Sequence, residues 1–227
     1  MHLDVYPTPS AAAHAAAVAI AELLAAAVAT RGSATLAMSG GRTPGLMVNQ
    51  LATLPVPWEF VHLCQVDERA VPSDDPARNW TQLLPLAALV PRTHRHPMPV
   101  EVDDADTSYA KELVAVTGGP VVLDVVHLGL GADGHTASLV PDDPAVETVD
   151  QDVSWVNTFG GYRRLSLTLP VLNRARHQVW LVAGADKAVA LREMTQDRSA
   201  SPASRAVTGA SATAYVDMPA AALLTKT

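Results

Sequence analysis

Asp133 and His135 stand two residues apart in the run Gly129-Leu130-Gly131-Ala132-Asp133-Gly134-His135-Thr136-Ala137-Ser138. On a turn, that spacing lets both side chains reach one site. A carboxylate beside an imidazole orients the ring and raises its basicity, and imidazole titrates near neutrality. Three glycines, at 129, 131 and 134, clear space around the backbone. The pair therefore reads as a candidate for catalysis. A histidine alone is usually structural. The neighbouring aspartate and the glycine-rich setting carry the catalytic reading.

Three further blocks could bind an anionic, hydroxylated substrate. In Ser39-Gly40-Gly41-Arg42-Thr43-Pro44 the paired glycines allow close backbone approach. Thr43 suits a helix N-cap and Pro44 the first helical position. Exposed N–H groups at a helix start attract phosphate, and Arg42 would add a charged contact. An ordinary tight strand-to-helix turn explains the same residues. In Gly184-Ala185-Asp186-Lys187, Asp186 reads as an N-cap. Lys187 is then in a first helical turn, where the dipole disfavours a cation unless an anion binds. The alternative is a lysine pointing to solvent, but the chain has only three lysines, so this one stands out. Asp67-Glu68-Arg69, followed by Asn79 and Trp80, could meet substrate hydroxyls or form a solvated, salt-bridged turn. Of the adjacent Arg163 and Arg164, Arg164 is favoured as a further phosphate contact. His94 and His96 sit in a Pro-rich stretch without a clear third ligand, so no metal site is expected.

The elements that must position these residues alternate along the chain. Apolar, β-branched runs predict strands at Thr35–Met38, Phe60–Val66, within Val121–Leu130, at Val179–Ala183 and at Thr213–Val216. Helices are predicted at 11–29, 44–53, 105–116, 186–194 and 218–224. The pattern implies an α/β fold, a mostly parallel sheet with helices on both faces. The near-continuous apolar run Val121-Val122-Leu123-Asp124-Val125-Val126 suits a strand covered on both sides. Segments 70–104 and 140–165 read as loops and short helices, and Ser199–Ser211 as a mobile surface loop. Ligands in open α/β sheets bind beyond the carboxyl ends of the strands. The four blocks each follow a predicted strand, so they can converge in one cleft.

Composition bounds the rest. The 227 residues fit a single domain, 1–227, with 48% hydrophobic residues and 4% aromatic, so the core must be built from Ala, Val and Leu. A net charge of −7 argues against a nucleic-acid partner but leaves room for a small anion in a locally basic cleft. The single cysteine, Cys64, reads as a buried strand thiol and fits a reducing compartment. The Ala-rich stretch 11–29 has no preceding basic cluster and contains His14 and Glu22. It reads as a soluble helix with Ser10 as N-cap and Gly32 past its end, not as a membrane segment. The expected location is cytoplasmic.

In this order, the blocks resemble the 6-phosphogluconolactonase family, which is related to glucosamine-6-phosphate deaminase. The resemblance runs from Leu36-Ala37-Met38-Ser39-Gly40-Gly41 to Tyr215-Val216-Asp217-Met218-Pro219. Its most specific parts are Asp67-Glu68-Arg69-Ala70-Val71-Pro72 with Asn79, and Gly129 to Leu139. It implies a Rossmann-like, NagB/RpiA-like sheet, a monomer, no cofactor, and hydrolysis of 6-phospho-D-glucono-1,5-lactone in the oxidative pentose phosphate pathway. It also implies His135 as general base supported by Asp133. Phosphate would be held by Gly40, Gly41, Arg42, Thr43, Arg164 and Lys187, while Asp67 and Arg69 line the sugar. Val140 stands where the deaminases carry a glutamate for ring opening, which argues against deamination. The lactonases usually carry an aromatic residue there, and Trp80 stands where they often have Tyr. A sugar-phosphate sensor is the non-enzymatic alternative, but no helix-turn-helix precedes the first helix.

Overall fold

The structure, a computed structural model, describes residues 1–196, 201–207 and 211–224. The strands among them are β1 (His2–Tyr6), β2 (Ala34–Met38), β3 (Val61–Gln65), β4 (Asp67–Arg69), β5 (Arg95–His96), β6 (Val125–Gly129), β7 (Val153–Phe159), β8 (Tyr162–Leu167), β9 (His177–Val182) and β10 (Ser211–Asp217). The α-helices are α1 (Pro9–Arg31), α2 (Arg42–Leu51), α3 (Asn79–Ala87), α4 (Ala105–Thr117), α5 (Leu169–Arg174), α6 (Ala188–Gln196) and α7 (Pro202–Arg205).

Seven strands form one parallel sheet in the order β1-β10-β9-β6-β2-β3-β5. Both of its faces are covered, which is why all five residues of β2 are buried. Leu36 and Met38 pack on one side with Ile20 and Leu24 of α1, Met47 and Val48 of α2 and Leu83 of α3. Ala37 packs on the other side with Tyr109 and Leu113 of α4, Leu172 of α5 and Leu191 of α6. From β2 the chain builds outward to β3 and β5; from β6 it builds the opposite way through β9 and β10. The direction therefore switches between β2 and β6, and a crevice opens beyond the carboxyl ends of these two strands.

α1 is the one described helix long and apolar enough to span a bilayer by composition. Here it is a core helix. Ala12, Ala13, Ala16, Ala17, Ile20, Leu24 and Ala27 are buried, and it lies across β2, β9 and β10. Its cap is Thr8 rather than Ser10. Thr8 Oγ1 accepts from the Ala11 amide at 3.2 Å, because Pro9 occupies the first helical position. The helix ends at Gly32, left-handed at φ 83°, whose amide donates to Val28 at 2.8 Å.

Several expectations need correction. The segment 140–165 is not mainly loop: β7 and β8 form an antiparallel hairpin that joins β4 in a second sheet, β4-β8-β7. Segment 70–104 is loop and short helix as expected, α3 among them, with the two-residue edge strand β5 as the one addition. Within Ser199–Ser211, residues 199, 200 and 208–210 lie outside the described residues, but 201–207 are not a surface loop. Pro202, Ala203 and Ser204 of α7 are buried, and the Gln178 amide nitrogen donates to the Ala206 carbonyl at 2.6 Å. The predicted helix at 218–224 is a 3-10 turn, Ala220–Leu223. These elements are held by contacts distant in sequence, which no local apolar period announces.

Candidate active site

A cavity of about 590 Å³ sits at the switch point. Its lining includes Ser39, Gly40 and Gly41 after β2, Asp67 and Arg69 after β3, Gly129, Leu130 and His135 after β6, and Gly184, Asp186 and Lys187 after β9. Asn79 from α3 and Arg164 from β8 complete the polar wall. The four blocks that the sequence set at separate strand ends thus meet in one crevice.

The His135 turn is closed by its own backbone. The Gly131 amide donates to the His135 carbonyl at 2.8 Å, and the Gly134 amide to the Gly131 carbonyl at 3.1 Å. Asp133 Oδ1 accepts from the His135 amide at 3.2 Å and lies 2.5 Å from His135 Nδ1. That bond puts the proton on Nδ1 and leaves Nε2 with its lone pair, the form a base requires. Partial burial works to raise the Asp133 carboxyl. The amide, charge and ring hydrogen bond of His135 outweigh it and hold the group below its ordinary value. Asp133 does not line the cavity; it backs the histidine. Gly131 has no alternative here, since a Cβ would lie 2.0 Å from His135 Nδ1 and 2.4 Å from Asp133 Oδ1. α7 braces the turn from behind, its Ala203 amide donating to the Gly134 carbonyl at 3.0 Å.

Asp67-Glu68-Arg69 is no solvated turn. Asp67 is 4% exposed and Glu68 fully buried. Glu68 caps α3, accepting from the amides of Asn79 at 2.6 Å and Trp80 at 2.9 Å, and also from Gln65 Nε2 at 2.8 Å. This buried carboxylate at a helix start fixes Asn79 against β4. Asp67 Oδ2 accepts from Ser138 Oγ at 2.6 Å and Asn79 Nδ2 at 3.3 Å, and lies 3.8 Å from Arg164 Nη1. Burial pushes the Asp67 carboxyl up; the Ser138 hydroxyl and Arg164 oppose it. Burial also lowers Arg164, with Asp67 opposing. Arg164 rather than Arg163 enters the cavity, while Arg163 stacks over Trp155, 3.8 Å from its ring centroid.

The phosphate-type turn differs from expectation in its cap. α2 starts at Arg42 with Gly41 as N-cap, two residues before Thr43. Gly41 takes φ 132°, outside the range a threonine cap adopts, and its amide donates to Gln82 Oε1 at 2.6 Å. The side chains of Arg42 and Thr43 lie outside the described residues. Ser39 is buried, its hydroxyl donating to the His127 carbonyl at 3.2 Å. Gly40 packs so tightly on Asn79 that a Cβ would lie 2.5 Å from its Cγ. Asp186 is not an N-cap either. Ala185–Lys187 form a 3-10 turn before α6, and the Gly184 amide donates to buried Asp217 at 3.1 Å. Lys187 Nζ lies 3.1 Å from Asp186 Oδ2.

Sequence reading missed Phe159, Leu46 and Pro9 in the lining. Phe159 was legible: Val153-Ser154-Trp155-Val156 followed by Gly160-Gly161 is a strand with a two-residue hairpin signal. Pro9 and Leu46 carried none. Val140 does not line the cavity; the aromatic in the lining is Phe159. His94 and His96 are joined by His62, whose ring stacks on them at centroid distances of 4.0 and 5.2 Å.

Comparison with known proteins shows the family and the fold. Residues 7–215 match the family model described as glucosamine-6-phosphate isomerases/6-phosphogluconolactonase. A 6-phosphogluconolactonase of Synechocystis sp. is 41% identical over 179 residues, 74% of each chain. The solved 6-phosphogluconolactonase from Trypanosoma cruzi superposes with a TM-score of 0.88 at 25% identity, covering 99% of this chain and 97% of that one. A monomeric glucosamine-6-phosphate deaminase of the NagB superfamily shares the fold, at TM-score 0.81 and 20% identity over 98% of this chain and 100% of its own. The chain is an α/β enzyme that belongs to the 6-phosphogluconolactonase family.

Proposed function

We propose that this enzyme opens 6-phospho-D-glucono-1,5-lactone to 6-phosphogluconate, with His135 activating water against the lactone carbonyl. The observation that carries the reading is a base with a free Nε2 and a set of anion-binding groups lining the same cavity. His135 Nε2 takes a proton from water as the oxygen attacks C1. The tetrahedral oxyanion requires N–H or cationic neighbours; the Gly131 and Gly134 amides are engaged within the turn, which leaves Arg69, in the same cavity as His135, as the candidate. The intermediate then collapses: the bond from C1 to the ring oxygen breaks, and protonated His135 gives its proton to that oxygen, leaving the carboxyl group on C1. No atom changes oxidation state, so the steps call on no redox cofactor.

The phosphate would sit against Gly40, Gly41, Arg42, Thr43, Arg164 and Lys187, with Ser39 beneath them. Asp67, Arg69 and Asn79 would meet the sugar hydroxyls. Binding energy from the remote phosphate orients the carbonyl at the base. The lining residues come from strand ends of one sheet and from β8 of its annex, which supports a single 1–227 domain acting on a small phosphosugar; the monomer is carried over from the family resemblance. The acidic charge and the buried Cys64 thiol support a cytoplasmic enzyme without nucleic-acid or membrane partners.

The test is a coupled assay. The lactone is generated with glucose-6-phosphate dehydrogenase, and formation of 6-phosphogluconate is followed against spontaneous hydrolysis. No acceleration over the uncatalysed rate would remove the function. Ammonia release from glucosamine 6-phosphate is expected to be absent, because Val140 offers no acid.

A further inference from the structure

We propose that Phe159 is a positioning residue for this reaction, fixing the imidazole of His135 and the guanidinium of Arg164 relative to one another; the proposal rests on the reading of His135 as the base. The His135 ring meets the Phe159 ring edge-on, with centroids 4.8 Å apart and planes at 66°. Arg164 lies on the same ring, its Cζ 4.9 Å from the centroid. The Phe159 carbonyl also accepts from Arg164 Nε at 3.0 Å. One residue therefore touches both the base and a cation of the cavity, and it lines that cavity itself.

Each partner needs this support. His135 is held at Nδ1 by Asp133, whose side chain is 48% exposed and sits on the same short turn. A single hydrogen bond leaves the ring free to swing about it, and a second contact is required to set where Nε2 points. Arg164 Nη1 is 3.5 Å from Ser138 Oγ and 3.8 Å from Asp67 Oδ2, both long for directional bonds. Its plane is set by the Phe159 carbonyl and ring. Edge-to-face aromatic pairs and cation–ring contacts are directional, unlike aliphatic packing.

The backbone delivers Phe159 to this place by two local devices. Pairing of β7 with β8 shifts between Val156 and Phe159, and a bulge re-aims the side chain that follows it. Gly160 and Gly161, at φ 59° and 85°, then close the hairpin with two left-handed residues. Phe159 is thus the last residue of the strand and is turned out of the regular alternation.

The test compares Phe159→Met, Phe159→Leu and Phe159→Tyr with wild type, using kcat, KM for the phosphorylated lactone, the pH profile of kcat, and circular dichroism melts. Loss of the ring is expected to lower kcat by about 10- to 100-fold in folded protein, to raise KM as Arg164 loosens, and to alter the acidic limb of the pH profile. Phe159→Tyr, which keeps the ring, is expected to restore kcat. Wild-type kcat in folded F159M or F159L, or F159Y as slow as both, would overturn the proposal. So would aliphatic variants that do not fold at the assay temperature, since the ring would then be a structural strut. An inactive wild type in the same assay would instead sink the lactonase reading.

Discussion

Arg69 and Arg164 stand directly opposite one another on the antiparallel strands β4 and β8, and both reach the cavity. Like charges in a cross-strand pair repel. Arg164 is lowered by burial first and by Arg69 as well. The nearest carboxylate, Asp67, is 3.8 Å from Arg164. An anion in the cavity relieves this arrangement, so the ligand-free protein carries an electrostatic cost that ligand removes. Inorganic phosphate and 6-phosphogluconate are expected to raise the melting temperature, and product at 100 times its dissociation constant should add about 2.7 kcal/mol. Melts of wild type and Arg164→Met with and without product check this, and the gain should shrink in the variant.

Replacing His135 by Ala should lower kcat by roughly 10²- to 10⁴-fold, the span of general acid–base catalysis, while product affinity stays within a few-fold. Asp133→Asn should cost less, because the ring remains but its tautomer is no longer enforced. Single-turnover rates and product titrations separate the two effects. A His135→Ala enzyme turning over near the wild-type rate would exclude the assigned role.

Lys187→Ala should act on binding. KM for the phosphorylated lactone is expected to rise about tenfold or more, with a smaller change in kcat. The preference over unphosphorylated gluconolactone should fall in parallel. Steady-state kinetics on both lactones provides the check, and an unchanged preference would move the phosphate elsewhere.

Gly131→Ala should abolish activity without unfolding the sheet. The added methyl would occupy the space of His135 Nδ1, only 2.0 Å away, and of Asp133 Oδ1. The turn must deform or the ring must leave. Gly40→Ala should damage binding in the same manner through Asn79. Both variants are expected to keep a cooperative melt, so activity and circular dichroism read them apart.

His62 and His127 are expected to erode stability in acid. Burial, followed by the nearby His94 and His96, pushes His62 down to about 4. Burial pushes His127 down to about 3, and neither of its ring nitrogens has a partner among the described residues. Both therefore bind protons less well folded than unfolded. Their neutral forms are no liability above about pH 6.5, the unfolded value. As pH falls below it the unfolded chain takes up the protons first, and stability drops until the folded values are reached. His127→Leu should flatten this loss between about pH 6 and pH 3. Urea midpoints across that range test it; an unchanged slope would mean another group dominates.

Much of this protein was legible in its residues. Apolar runs located β2, β3, β6, β9 and β10, and glycine-bearing or charged blocks after four of them marked the crevice, because strand ends and phosphate turns carry local chemistry. The Asp133–His135 pair was legible for the same reason: its geometry lies within one turn. Elements stabilised from afar were not. β7 and β8 hold through each other, β4 and the core face of α4, α7 through Gln178 and Gly134, and Glu68 through the amides of a helix eleven residues on. The sequence determined which side chains could do the chemistry and that their strands shared a direction. Tertiary structure decided which ones face one another: that Arg164 enters and Arg163 does not, that Asp67 is buried beside Ser138, and that Phe159 closes on His135. Periodicity is a property of one segment, whereas burial and partnership depend on what another segment brings to its face.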